Sequence, residues 1–77
     1  MDLKQILTDI ARAIVDTPDA VCVEENVNGD DVELILTVAE DDTGMVIGRH
    51  GKIAKAIRQI MKPAANTCGK HVTVEIK

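Results

Sequence analysis

Between Gly44 and Met61 the chain sets three glycines, Gly44, Gly48 and Gly51, among five basic or imidazole side chains, Arg49, His50, Lys52, Lys55 and Arg58. Gly48 and Gly51 enclose Arg49 and His50, and a helix is predicted from near Gly51 to about Thr67. A helix start leaves its first backbone N–H groups unpaired and carries the positive end of the helix dipole, which together favour an anion. The two glycines let a second backbone approach without a Cβ in the way. Arg49 and Lys52 add full charges beside that point. On a helical wheel Lys52, Lys55, Arg58, Gln59 and Lys62 fall within an arc of about 120°. A phosphate at the loop continued by a basic stripe matches a string of phosphates, the signature of a nucleic-acid backbone. The opposite side of the wheel carries Ile53, Ala56, Ile57, Ile60 and Ala64, with Met61 at its edge, and is the expected core face.

Other chemistry is poorly served. Gly51-Lys52 invites a phosphate-loop reading, but that pattern needs a glycine where Val46 stands and a Ser or Thr where Ile53 stands. His50, His71, Cys22 and Cys68 have no metal-ligand spacing, so no metal site is expected. No nucleophile–histidine pairing is identifiable. The acids Asp30 and Asp31, and Glu40, Asp41 and Asp42, fall at turns and caps. The chain reads as a non-enzyme with no catalytic residues, no cofactor and no small-molecule substrate.

The charge is unevenly divided. Residues 1–42 hold twelve acids and two bases, a balance of −10, whereas residues 43–77 hold seven bases and one acid, a balance of +6, and the chain totals −4. The second half therefore carries a positive field that the overall charge conceals. The 77 residues include no Phe, Tyr or Trp. The core must be aliphatic, and recognition by stacking bases on aromatic rings, as on the RRM sheet, is excluded. A domain of this length buries only roughly 60–65% of its unfolded surface, so a partner subunit fits its size. No apolar run approaches a membrane span and no leader peptide is evident. Reduced, largely buried cysteines and a cytoplasmic location are expected.

These residues need a scaffold, and the remaining pattern supplies one. Leu3, Ile6, Leu7, Ile10 and Ile14 share one helical face. Asp2 is placed to cap that helix, with Gln5 completing a capping box, and Pro18 ends it. Val21 and Val23 open a strand that runs to Val27, Asn28-Gly29 supplies a tight turn, and Val32, Leu34, Leu36 and Val38 alternate along a second strand. Asp41 or Asp42 is positioned to cap a short helix through about Ile47, which Gly48 stops. Pro63 lies inside the second helix of the pair, and Cys68-Gly69 closes it. Val72, Val74 and Ile76 mark a last strand. The predicted order is α-β-β-α-α-β in one domain over residues 1–77. Its fold class is α+β, with three helices packed on one face of a three-stranded sheet.

The stretch "VIGRHGKIAKAI" resembles the KH-domain signature, in which Ile-Gly-x-x-Gly joins two helices, with Ile47, Gly48 and Gly51 in register. Ala54 departs from it, standing where the pattern has a branched apolar residue. The element order resembles the type II KH arrangement. The whole chain is similar to the KhpA family of small stand-alone bacterial KH proteins, most specifically over "DDTGMVIGRHGKIAKAIR". The resemblance implies single-stranded RNA binding, with the loop clamping the backbone of about four nucleotides. It assigns RNA contact to Ile47, Gly48, Arg49, His50, Gly51, Lys52, Ile53 and Lys55. Bases would lie in an aliphatic groove between the helices and the second strand, floored by Val46, Ile47, Ile53 and Val38. The implied role is that of an RNA chaperone or post-transcriptional regulator. The resemblance further implies a homodimer, or a heteromer with a larger KH-containing protein. The alternative reading is a dimerisation module in which RNA contact is secondary.

Overall fold

The apolar stripe at the N-terminus folds as expected in the computed structural model of the protein, which describes residues 2–77. Helix α1 spans Leu3–Ile14 and buries Leu3, Leu7 and Ala11. Ile6, Ile10 and Ile14 pack half-buried beside them. The Gln5 N–H donates to Asp2 Oδ1 at 3.2 Å, which satisfies one of the orphan amides of the first turn. The Gln5 side chain does not return the bond. Its amide donates forward to Asp9 Oδ1 at 2.8 Å, so the capping box is only half formed.

A 3-10 turn over Pro18–Ala20 leads into β1, Cys22–Asn28, which pairs antiparallel with β2, Asp31–Thr37. The hairpin turn lies one residue later than Asn28-Gly29 suggests. Asn28 pairs with Asp31, and the two central residues are Gly29 and Asp30. Only Gly29, at φ +63°, has a positive φ there, as a type II′ turn with glycine at its first central position requires. A short helix, α2 (Thr43–Ile47), and a long one, α3 (Lys52–Thr67), carry the chain across to β3, His71–Ile76. β3 lies parallel to β2, giving a mixed sheet in the order β1-β2-β3. The α-β-β-α-α-β order and the α+β class are as expected.

One face of the sheet presents Val23, Val32, Leu34, Leu36 and Val74 to the helices. They meet Leu7 from α1, Val46 from α2, and Ile57, Met61 and Ala65 from α3. Leu7, Leu34, Leu36, Ile57, Met61 and Val46 are the largest fully buried side chains. Burying each contributes about 1.5–3 kcal/mol relative to exposure, so a core without aromatics rests mainly on these six. The other sheet face is open and polar: Glu24, Asn26, Asp31, Glu33, Thr73 and Glu75 are exposed around a half-buried Ile35.

Asp42 differs from its expected role. It precedes α2, yet its side chain makes no cap hydrogen bond to that helix. It is 2% exposed, and its Oδ2 accepts from the Thr17 N–H at 2.9 Å. The carboxylate therefore ties the loop after α1 to the start of α2. The cysteines also differ in part. Cys22 is exposed and Cys68 half-buried, and neither is in a disulfide. Among the described residues no helix is long and apolar enough to cross a membrane.

Candidate nucleic-acid interface

Gly48 stops α2 and starts the loop. Its N–H donates to Gly44 O at 2.8 Å, closing the last turn, and its φ of +76° swings the chain out of the helix. His50 (φ +57°) and Gly51 (φ +74°) then take left-handed conformations in succession. Glycine meets that requirement without strain; histidine tolerates it better than most residues. The Gly51 N–H bonds back to Gly48 O at 3.2 Å, and the Lys52 N–H bonds to Arg49 O. The N–H groups of Arg49 and His50 have no backbone acceptor among the described residues. Successive amides left open in a tight turn form a concave anion site.

The two glycines serve different ends. A Cβ on Gly48 would overlap Ile53 Cγ1 and stand 2.8 Å from the Ile53 backbone nitrogen. Gly48 therefore lets the loop fold down onto the first turn of α3. A Cβ on Gly51 would meet nothing within 4 Å. Its glycine is required by φ and leaves the outer side of the loop open.

Arg49, His50, Lys52 and Lys55 are exposed, and Arg58, Gln59 and Lys62 continue the exposed stripe along α3. Among the described residues the one ion pair is Lys70–Asp30, at 3.6 Å. The cations of the loop and stripe are thus uncompensated by any neighbouring carboxylate, and the stripe runs about 15 Å from Lys52 to Lys62 at the helical rise.

The core face of α3 is rotated from the expected one. Ala54, Ile57, Met61 and Ala65 are buried, with Met61 fully so. Ile53 and Ile60 are exposed at 37% and 51%, and Ala56 between them is exposed as well. Bulk misleads here, because the helix buries Ala54 and Ala65 while leaving Ile53 and Ile60 outside. α3 consequently has three faces: buried, basic and exposed apolar.

The groove also moves. Val46 and Val38 lie in the core and cannot floor it. β2 is the central strand, paired along both edges, so nothing can lie beside it. A concavity lies between α3 and the free edge of β3, with a volume of about 340 Å³, lined by Arg58, Lys62, Asn66, His71, Thr73 and neighbouring valines. Sequence reasoning passed over Asn66, Thr73 and this role of Arg58. The signal was present: Arg58, Lys62 and Asn66 recur at i, i+4 and i+8 and so share one helical edge. His71 opens β3 at this groove. Among the described residues no group of three or more His, Cys, Asp or Glu side chains could hold a metal ion.

A mixed three-stranded sheet covered by three helices, with a glycine loop joining two of them, defines a KH domain. Residues 4–76 match the family described as KhpA/KhpB, KH domain, and the chain belongs to that family. It is 49% identical over 74 residues to the RNA-binding protein KhpA of Clostridium acetobutylicum, covering 96% of this chain and 99% of that protein. It is 46% identical over 72 residues to the RNA-binding protein KhpA of Caldanaerobacter subterraneus, covering 94% and 96% respectively. Among solved structures, Era in complex with MgGDPNP and nucleotides 1506–1542 of 16S ribosomal RNA superimposes with a TM-score of 0.72 at 19% identity. That match covers 96% of this chain and 28% of the Era chain, and at such identity it speaks for the fold alone.

Proposed function

We propose that this protein binds single-stranded RNA, clamping the sugar-phosphate backbone on the Gly48–Gly51 loop, and acts in the cytoplasm as an RNA chaperone or post-transcriptional regulator. The observation that carries the reading is the pair of open amides at Arg49 and His50, set beside cations that no carboxylate neutralises. Family membership and the RNA-binding relatives support it. The first phosphates sit on the loop, between the side chains of Arg49 and Lys52. Lys55 draws the following phosphate along α3. Ile47 and Ile53, each 37% exposed, flank the loop with apolar surface for a sugar or base. Bases then turn into the groove between α3 and β3, where hydrogen bonds and aliphatic contact replace the stacking that a chain without aromatics cannot offer. Nothing in this mechanism calls for a catalytic group or a cofactor.

An NMR titration with short unpaired oligoribonucleotides tests the reading. The amide resonances of residues 47–53 are expected to shift together, and charge reversal by Arg49→Glu with Lys52→Glu to abolish the shifts. Unmoved loop resonances in the unmodified protein would overturn it.

A specific feature favours a second function alongside the first. Beyond Ile53, the pair Ala56 and Ile60 forms an exposed apolar patch at i and i+4 on α3. Exposed apolar surface of this kind marks an interface. We propose that it joins two copies of the chain, or this chain and a larger KH-containing protein. Ile60→Ser should then lower the sedimentation coefficient toward that of a monomer while loop shifts on RNA addition persist.

A further inference from the structure

Strand β3 offers its backbone to two sides. The His71 N–H donates to Asp30 O at 2.8 Å and the Lys77 N–H to Leu36 O at 2.9 Å, so the odd-numbered groups face β2. The N–H and C=O groups of Val72, Val74 and Ile76 therefore face the free edge. One of them is already taken: Arg58 Nε donates to Val74 O at 3.2 Å. Arg58 makes no other hydrogen bond or ion pair among the described residues. With Nε anchored on the strand, the terminal nitrogens of the guanidinium stand as a fixed pair of donors at the groove.

This arrangement sets which base fits. Arg58 and Lys62 donate only, and no carboxylate lines the groove. The Val74 carbonyl already accepts from Arg58, which leaves an exocyclic amine one lone pair there instead of two. Adenine presents an amine beside N7, and cytosine an amine beside N3. Uracil separates its two carbonyls with an N–H. Among the other bases only cytosine, through N3 and O2, offers an adjacent pair of acceptors, whereas guanine presents two, O6 and N7, at the spacing of a guanidinium fork. In an unpaired strand that edge is available. We propose that Arg58, oriented by Val74, selects guanine over adenine and uracil at the nucleotide seated between α3 and β3. This inference rests on the RNA-binding reading of the same surface.

The test uses the full chain and fluorescently labelled oligouridylates carrying one central guanine, adenine or 7-deazaguanine, the last lacking the N7 acceptor. Anisotropy titrations should show about a tenfold preference for guanine over adenine, of the order one bidentate contact provides. 7-Deazaguanine should lose most of that preference. Arg58→Lys keeps the charge and removes the fork. It should equalise guanine and adenine while leaving the salt dependence unchanged, with the thermal midpoint lowered only by the loss of the Val74 bond. Loop resonances that shift on binding, with guanine and adenine bound equally, would overturn the role of Arg58 and leave RNA binding intact. A guanine preference that survives Arg58→Lys would overturn it too. If no oligonucleotide binds and the loop does not respond, the RNA-binding reading fails and this inference with it.

Discussion

At the scale of single residues, the loop separates two reasons for a glycine. At Gly48 a side chain has no room, because the start of α3 packs against the Cα. At Gly51 there is room, and only the backbone angle objects. Gly48→Ala combines left-handed strain with overpacking and should cost roughly 2–4 kcal/mol in urea unfolding. Gly51→Ala bears the strain alone and should cost about 1 kcal/mol. Equal losses for the two variants would show that steric contact at Ile53 does not shape the loop. The functional consequences should also diverge. Gly51→Ala leaves a folded protein whose loop carries a methyl group where RNA must approach, so affinity should fall more than stability does. The sequence made the glycines conspicuous, but it could not distinguish their duties. That distinction depends on where Ile53 packs after the chain has turned.

At the scale of elements, α3 decides how the surfaces are allotted. Met61→Ala removes a fully buried side chain and should destabilise by about 2–5 kcal/mol. Ile60→Ala, one residue away, touches mostly solvent and should cost well under about 1 kcal/mol in the monomer. Thermal denaturation of the two variants measures the helix phase directly, and a larger loss at Ile60 would contradict the packing described. Existence, order and type of the three α-helices and three strands were legible in the sequence, because periodicity, turn glycines and Pro18 each act locally. The phase of α3 was not. Periodicity ranks positions by bulk, whereas Ala54 and Ala65 are small and are buried by the fold, Ala65 within the core cluster. The site followed the same division. The loop, Arg49, Lys52 and Lys55 were readable from spacing. The groove was not, because it depends on β3 lying parallel to β2 at a free edge, a pairing that no local pattern encodes. Asp42 is a similar case: its position before α2 suggested a cap, and only the fold brings the Thr17 amide within its reach.

At the scale of the whole molecule, the uneven charge becomes a division of surfaces. The open sheet face carries Glu24 and Glu75 on either side of Ile35, and Glu33 between Asn26 and Thr73. The basic loop and stripe lie on the helical layer. If RNA binds as proposed, a polyanion should be repelled from one face and attracted to the other, which would confine it to the loop side. Two measurements separate these contributions. The logarithm of the binding constant should fall with log salt by about 0.7 for each phosphate contacted on a single strand. Arg49→Ala and Lys52→Ala should each flatten that slope by about one such step, because each removes one phosphate contact. Neutralising the sheet face with Glu24→Gln, Glu33→Gln and Glu75→Gln removes no contact, so it should leave the slope at the loop unchanged. It should instead allow weak binding of RNA away from the loop, visible as chemical-shift changes in β1 and β3. Asp42 does not belong in that set, being buried and bonded to Thr17, and Asp30 is already paired with Lys70. If the triple variant binds with loop shifts alone and unaltered discrimination between oligomers, the acidic face plays no part in directing RNA. The confinement then comes entirely from the attraction at the loop.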